Sequence, residues 1–318
     1  MITRRIAFAA LAAVSVAPAE AAARSVRGRP AGPRDLQGFW TNLSGTPLER
    51  PREFATLAIA EGEAAPYDAR RRKVVIAVPG DDVGQDGAEW FTPPAPLMRI
   101  GGQARTSVIV DPADGKLPYS PAGRRALGAA LQQMSDFSGP ETRTSFERCL
   151  IGFSTPADAP MLYAAQTSGG YQFVQTQDHL VIRAEANHDV RIVSLQPDST
   201  PMVLHPWMGV SIGGWEGATL VVETSRFNEQ ESLRSLPELL YLSAGARVVE
   251  RFTRTSPGEI LYDFTVDDPA AFTRPWRGEA VFRSDPQPIY EYACHEGNYA
   301  LTNELAGARR IEQDAAAK

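Results

Sequence analysis

Residues 247–267 read Arg247-Val248-Val249-Glu250-Arg251-Phe252-Thr253-Arg254-Thr255-Ser256-Pro257-Gly258-Glu259-Ile260-Leu261-Tyr262-Asp263-Phe264-Thr265-Val266-Asp267. Ile260, Tyr262, Phe264 and Val266 fall on one side of an extended chain and Leu261, Asp263, Thr265 and Asp267 on the other, the alternation of a strand with one buried face. Ser256-Pro257-Gly258 is a turn signal, so the stretch predicts two antiparallel strands meeting at a tight hairpin. Working outward, residues 171–176, 180–185, 189–195, 218–224, 278–283 and 289–294 have the same short, β-rich character and follow one another closely. Turn signals such as Gly213-Gly214-Trp215-Glu216-Gly217 separate them, and helices of crossover length are missing between most of them. A parallel α/β sheet is thereby excluded, and an antiparallel meander is predicted, as a barrel or a sandwich.

The chain of 318 residues is 43% apolar and 22% charged, the make-up of a globular protein with material for a sizeable core. Its 25 prolines and 26 glycines favour short strands over a helical bundle. A net charge of -6 supplies no basic field, which excludes nucleic acid as a partner. Upstream, Leu36-Gln37-Gly38-Phe39-Trp40 reads as the opening strand of a small barrel, and its Gly38-x-Trp40 resembles the lipocalin pattern. Residues 56–72 predict a short helix or two interrupted by Pro66, with Arg70-Arg71-Arg72-Lys73 as a solvated helix end. Residues 105–110 predict a strand ended by the turn cluster Asp111-Pro112-Ala113-Asp114-Gly115, and 120–133 a helix.

Arg4-Arg5, the uncharged run 6–16 and the small-residue stretch 17–23 have the order of a secretory signal peptide, too short to span a bilayer. A partial twin-arginine pattern leaves two export routes open. The expected location is therefore periplasmic or secreted, with no integral membrane segment once the signal is removed. In an oxidising compartment Cys149 and Cys294 are expected to form a disulfide, which in the chain-entropy model is worth about 4–5 kcal/mol. The competing reading makes Cys294, next to His295 and Glu296, a reactive thiol.

Six motifs occur in this order: Arg105-Thr106-Ser107-x-Ile109-Val110-Asp111-Pro112-Ala113-Asp114-Gly115, Glu147-Arg148-Cys149-Leu150, Val174-Gln175-Thr176, Trp215-Glu216-Gly217-x-Thr219-Leu220-Val221-Val222-Glu223-Thr224, Val249-Glu250-Arg251-Phe252-Thr253-Arg254 and Tyr290-Glu291-Tyr292-Ala293-Cys294-His295-Glu296-Gly297-Asn298-Tyr299. As a set they resemble a large family of exported bacterial proteins of unassigned function, over nearly everything after Asp35. The resemblance implies no reaction, cofactor or ligand. One position departs from it: such chains tend to read Trp-Met-Gly-Asp-Ser where this one has Trp207-Met208-Gly209-Val210-Ser211.

Three of the four histidines stand at informative places: His188 in a turn beside Asp189 and Arg191, His205 before Pro206-Trp207, and His295 after Cys294. Only His179 reads as plain surface. Meeting at one mouth of a barrel, the three would be proton carriers working near neutral pH; otherwise they are three unrelated turn residues. His188 and His295 are the candidate catalytic groups, with Glu296 orienting or sharing the proton. Arg191 is the candidate partner for an anionic substrate group, because a guanidinium forks onto a carboxylate. His205, Trp207, Tyr171 and Tyr292 are the other candidate substrate contacts, with Phe173 completing an apolar floor. In the alternative reading Glu296 and Asn298 cap a turn in which Gly297 supplies a positive φ, and the strand charges form cross-strand ion pairs.

Close metal-ligand pairs are missing, so no cofactor is expected; a transition metal held by the three histidines is the alternative. Gly209-Val210-Ser211-Ile212-Gly213 has the letters of a nucleophile elbow but sits in a β-rich segment.

The expected molecule has a signal peptide (1–23), a flexible leader (24–34), an irregular, partly helical elaboration (35–145), an antiparallel, lipocalin-like β-barrel (146–312) and a tail (313–318). The expected function is that of an exported enzyme, a lyase, isomerase or hydrolase, acting by acid-base chemistry on a small, partly apolar organic molecule. A non-catalytic periplasmic small-molecule carrier and a histidine-ligated metalloenzyme are the alternatives.

Overall fold

The structure, a computed structural model, describes residues 32–76, 95–151, 157–162, 170–196, 203–230, 233–234 and 239–317. The signal-peptide expectation and most of the leader lie outside the described residues. In the first half of the chain the strands are β1 (Gly38–Thr41), β2 (Ala58–Ile59), β3 (Arg99–Ile100), β4 (Gln103–Arg105) and β5 (Ile109–Asp111). They are followed by β6 (Gly170–Gln175), β7 (His179–Ala184), β8 (Val190–Ser194), β9 (Val210–Glu216) and β10 (Thr219–Ser225). The last are β11 (Leu233–Arg234), β12 (Leu240–Tyr241), β13 (Arg247–Ser256), β14 (Glu259–Asp267) and β15 (Trp276–Ser284). Three α-helices are described: α1 (Glu61–Ile76), α2 (Pro121–Gln133) and α3 (Ala300–Ala316).

Among the described residues nine strands close into a barrel in the order β1-β6-β7-β8-β9-β10-β13-β14-β15, with β1 pairing back onto β15 through Trp40 and Ser284. β5 adds to the outer edge at β15. The mainly β class and the barrel are as the sequence predicts; the barrel is mixed, not wholly antiparallel, because β8 and β9 run parallel. A parallel pair needs a crossover, so between Ser194 and Val210 the chain returns to the end at which β8 began.

The deciding hairpin forms with Phe252 opposite Tyr262 and Glu250 opposite Phe264. Val248, Glu250, Phe252, Ile260, Tyr262, Phe264 and Val266 are all buried on its inner face. The partner strand β15 reaches Phe264 only because residue 278 is glycine, where an added Cβ would lie 2.3 Å from the Phe264 ring. The ring continues a stack with Trp276 at 5.5 Å and Tyr262 at 5.3 Å. Phe282 of β15, with Tyr171 and Phe173 of β6, continues the packing, so the described interior is filled with side chains.

The antiparallel pairings sort the connections between two ends of the barrel. Tight turns at 176–178, 217–218 and 257–258 make one end. At the other, the long connections leave after β1, β7, β10 and β14. The elaboration packs there: the Ser120 hydroxyl caps α2 by accepting from Gly123 N at 2.9 Å, and Ser120 N donates to Ala271 O. A second, smaller core of Ile59, Ala64, Tyr67, Leu97 and Ala104 sits under α1 and the sheet β2-β4-β3.

Two local expectations change. The glycine-rich run expected as a turn is the strand β9, with the turn only at Gly217, which has φ 61°. Residues 289–294, expected as a strand, form none, and the barrel is completed by β1 instead; beyond them 300–316, assigned mostly to the barrel, are α3. Arg309 of α3 donates to Phe137 O at 3.0 Å, fastening the helix outside the barrel.

Candidate functional site

At the long-connection end the 3-10 turn Ala186–His188 joins β7 to β8, and both Asn187 and His188 have left-handed backbones, at φ 53° and 47°. The side chain of Asn187 is buried; its Nδ2 donates to Asp189 Oδ1 at 3.2 Å and lies 3.5 Å from Cys149 O. Cys149 is bonded to Cys294, with a Cα–Cα distance of 5.9 Å. The disulfide joins the segment that carries His295 and Glu296 to Cys149, whose carbonyl Asn187 of the His188 turn approaches. A further tie is Tyr290 N donating to Glu185 Oε2 at 3.0 Å. Cys149 is itself left-handed, at φ 52°, so three non-glycine residues of that class meet in one place, and such clustering marks functional sites.

His205 belongs to the same end, because it precedes β9, which runs parallel to β8. Its Nδ1 is 3.4 Å from Phe227 O, and Asn228 Nδ2 donates to its carbonyl at 3.1 Å. His179 is at the opposite end. All four imidazoles are exposed, as is Glu296. Gly297 has φ 66°, and Asn298 accepts from Ala300 N at 3.0 Å, so the turn-capping geometry is present and also starts α3.

Trp207 and Tyr292 are half-buried at the surface of this end, whereas Tyr171 lies inside the barrel, edge-on to Phe282 with 5.5 Å between centroids. The expected apolar floor of four aromatics is therefore divided between interior and rim. Gly209 brings the approach to β9 close to β10: an added Cβ would lie 2.7 Å from Ser225 O. Val210 opens β9 half-buried.

Arg191 is buried, and its five N–H groups all have protein acceptors. Nε donates to Ser211 Oγ at 2.8 Å, Nη1 to Glu250 Oε1 at 3.0 Å and towards Ala157 O at 3.5 Å, and Nη2 to Thr224 Oγ1 at 2.7 Å and to Glu250 Oε2. That leaves no donor for the substrate anion expected from the sequence. Burial works against the Arg191 charge, but the Glu250 carboxylate outweighs it and holds the guanidinium above its ordinary range. Tyr262 donates to Glu250 Oε1 at 2.7 Å; burial first, then the neighbouring carboxylate, raises its phenol well above the usual value. Ser211 is one of the Arg191 acceptors on strand β9, which is not the geometry of a nucleophile elbow.

Residues 157–162, every one buried, enter the barrel at this end. Asp158 is paired with Arg234, whose guanidinium stacks 4.9 Å from the Phe227 ring. Burial raises the Asp158 carboxyl above the ordinary range, while Arg234 and Arg191 pull the other way. Sequence reasoning missed this pair: Ala157-Asp158-Ala159-Pro160 has no periodicity to place an acid inside. Among the described residues no three His, Cys, Asp or Glu side chains gather as metal ligands, and no helix is long and apolar enough to cross a membrane. Compared with models of known protein families and with curated proteins, the chain matches none.

Proposed function

We propose that the protein is an exported enzyme acting by acid-base chemistry on a small, partly apolar organic molecule at the long-connection rim of its barrel. The observation that carries this reading is the tie Asn187–Cys149–Cys294, which holds the backbones bearing His188 and His295 to one another on a cross-linked, left-handed framework. Imidazoles reachable from solvent can accept and return protons, and a rigid support keeps them in register with a bound molecule. In this scheme one imidazole withdraws a proton, the other delivers one, and Glu296 orients its neighbour. His205, Trp207 and Tyr292 form the apolar and polar surround. Arg191 takes no part in contacting substrate, because its donors are spent inside. Cleavage of a leader and passage into an oxidising compartment agree with the disulfide.

The test is to incubate purified protein with a mixed pool of small organic metabolites and follow depletion by mass spectrometry. A compound consumed by the native protein and by His179→Gln, but not by His188→Gln or His295→Gln, is the expected result. Consumption that survives both rim substitutions, or a pool left intact, overturns the proposal. A non-catalytic carrier is favoured by one feature, the exposure of the histidines, and would show retention of a pool compound without its conversion.

A further inference from the structure

The polar side chains in the barrel do not lie at random. Arg191, Ser211, Thr224, Glu250 and Tyr262 come from β8, β9, β10, β13 and β14 and converge in the mouth, beside a core of aliphatic and aromatic side chains. Stability does not call for such a cluster, since buried ion pairs are matched or surpassed by well-packed apolar residues, and a local breach of the packing rules marks a site. What fills the mouth against it is the segment 157–162, and it does so with backbone and one carboxyl. Ala157 O faces Arg191, Met161 N donates to the Tyr262 hydroxyl at 2.8 Å, and the Asp158 carboxyl sits on Arg234. Met161 and Leu162 supply the apolar bulk within the main core. The fit is incomplete: Asn42 donates to Met161 O at 3.3 Å, but its Oδ1 is buried without a partner among the described residues.

We propose that this mouth is a binding site for a small organic acid with an apolar body, and that residues 157–162 are its internal occupant. The Asp158 carboxyl stands where the ligand carboxylate binds, on Arg234 above Phe227, and Met161 and Leu162 stand where its apolar body lies. A planar guanidinium that holds the Asp158 carboxyl can take a free carboxylate in its place. Withdrawal of the segment toward the long-connection end opens the site, and the tight hairpins of the other end stay closed. The site is separate from the rim histidines, so its failure leaves the acid-base reading untouched.

The probes are benzoate and 4-phenylbutyrate, with benzamide as the neutral control, on the full chain. Asp158→Ala vacates the carboxyl position, and the acids are expected to raise its Tm saturably by a few degrees while benzamide does not; adding Arg234→Met abolishes the rise. In the native protein the same acids compete with the segment, so at ten times the dissociation constant the amides of Ala159, Met161 and Leu162 exchange with deuterium about tenfold faster. Stabilisation of the variant with unchanged exchange in the native protein overturns the proposal, since it would report a hole made by the substitution. Absence of any Tm response to either acid overturns it as well. If Asp158→Ala does not fold, the native exchange measurement decides alone, acceleration supporting the site and its absence refuting it.

Discussion

Arg191 and Glu250 are the residues on which the barrel wall most depends electrically. Removing one partner leaves the other charge buried without compensation, which costs about 3–5 kcal/mol, whereas replacing both with apolar groups of similar volume is near neutral. Arg191→Met is therefore expected to lower the urea midpoint steeply, and Arg191→Met with Glu250→Leu to recover most of the loss. Equal loss in the single and double variants would show that the pair is not a coupled unit. A second residue-scale effect is alkaline. Tyr119 hydrogen-bonds Tyr241 N at 2.8 Å, and burial first, helped by Glu49 and Asp268 against Arg124, pushes its phenol up to about 12. Unfolded, the same phenol ionises near 10.0, so its stabilising contribution is whole below that pH and declines as pH rises to about 12. Over that window the loss is about 2–3 kcal/mol. Tyr119→Phe is expected to be weaker at neutral pH, for want of the hydrogen bond, yet to show a shallower alkaline decline by chemical denaturation.

At the scale of elements, the strands that alternate strictly were legible, and so were the inner positions of their charges: Arg191 shares parity with Val193, and Glu250 with Val248 and Phe252. β9 was less so, because Gly213 and Gly214 have the look of a turn while the ladder to β10 needs only their backbone. In α3 the spacing of Leu301, Leu305 and Ala308 was present, but the stretch to residue 312 reads as part of the barrel core behind the last expected strand, 289–294. Hydrogen bonding of 170–175 to β1 is what displaced 289–294 from the barrel, a long-range choice that no local pattern encodes. Of the candidate site, the disulfide was expected from the two cysteines and the export pattern, and the rim position of His205 follows once β8 and β9 are known to be parallel; the Asp158–Arg234 pair joins an irregular segment to the two-residue strand β11 and had no sequence signal. The contact at residue 278 gives the element-scale test. A methyl group there meets the face of Phe264, so Gly278→Ala is expected to destabilise by about 1–3 kcal/mol through overpacking between β14 and β15. The same change with Phe264→Leu should recover stability in thermal unfolding, and additive losses would place the strain elsewhere.

The described residues from Gly32 onward form one compact unit, and its apolar interior has two centres of unequal size. The main one joins residues of the elaboration, Leu36, Leu48, Ile109 and Leu117, to the inner faces of the barrel strands, so those parts of the elaboration have no core of their own to retain if the barrel opens. The lesser one, under α1, has five buried members and is bounded by strands of two or three residues. Burial of a large apolar side chain contributes about 1.5–3 kcal/mol, so the free energy available to hold the lesser centre shut is a fraction of that holding the barrel. Local opening follows this inequality. Amides of Ala104 and Arg105 in β4, together with those of α1, are therefore expected to exchange by a low-energy opening that is insensitive to small amounts of urea. The amides of Phe252, Tyr262 and Phe264 should exchange only through global unfolding, with the full urea dependence. Native-state hydrogen exchange measured across a urea series distinguishes the two classes. A single class, with α1 protected as strongly as β13 and β14, would mean that the lesser centre is bound to the barrel more tightly than its own buried surface accounts for.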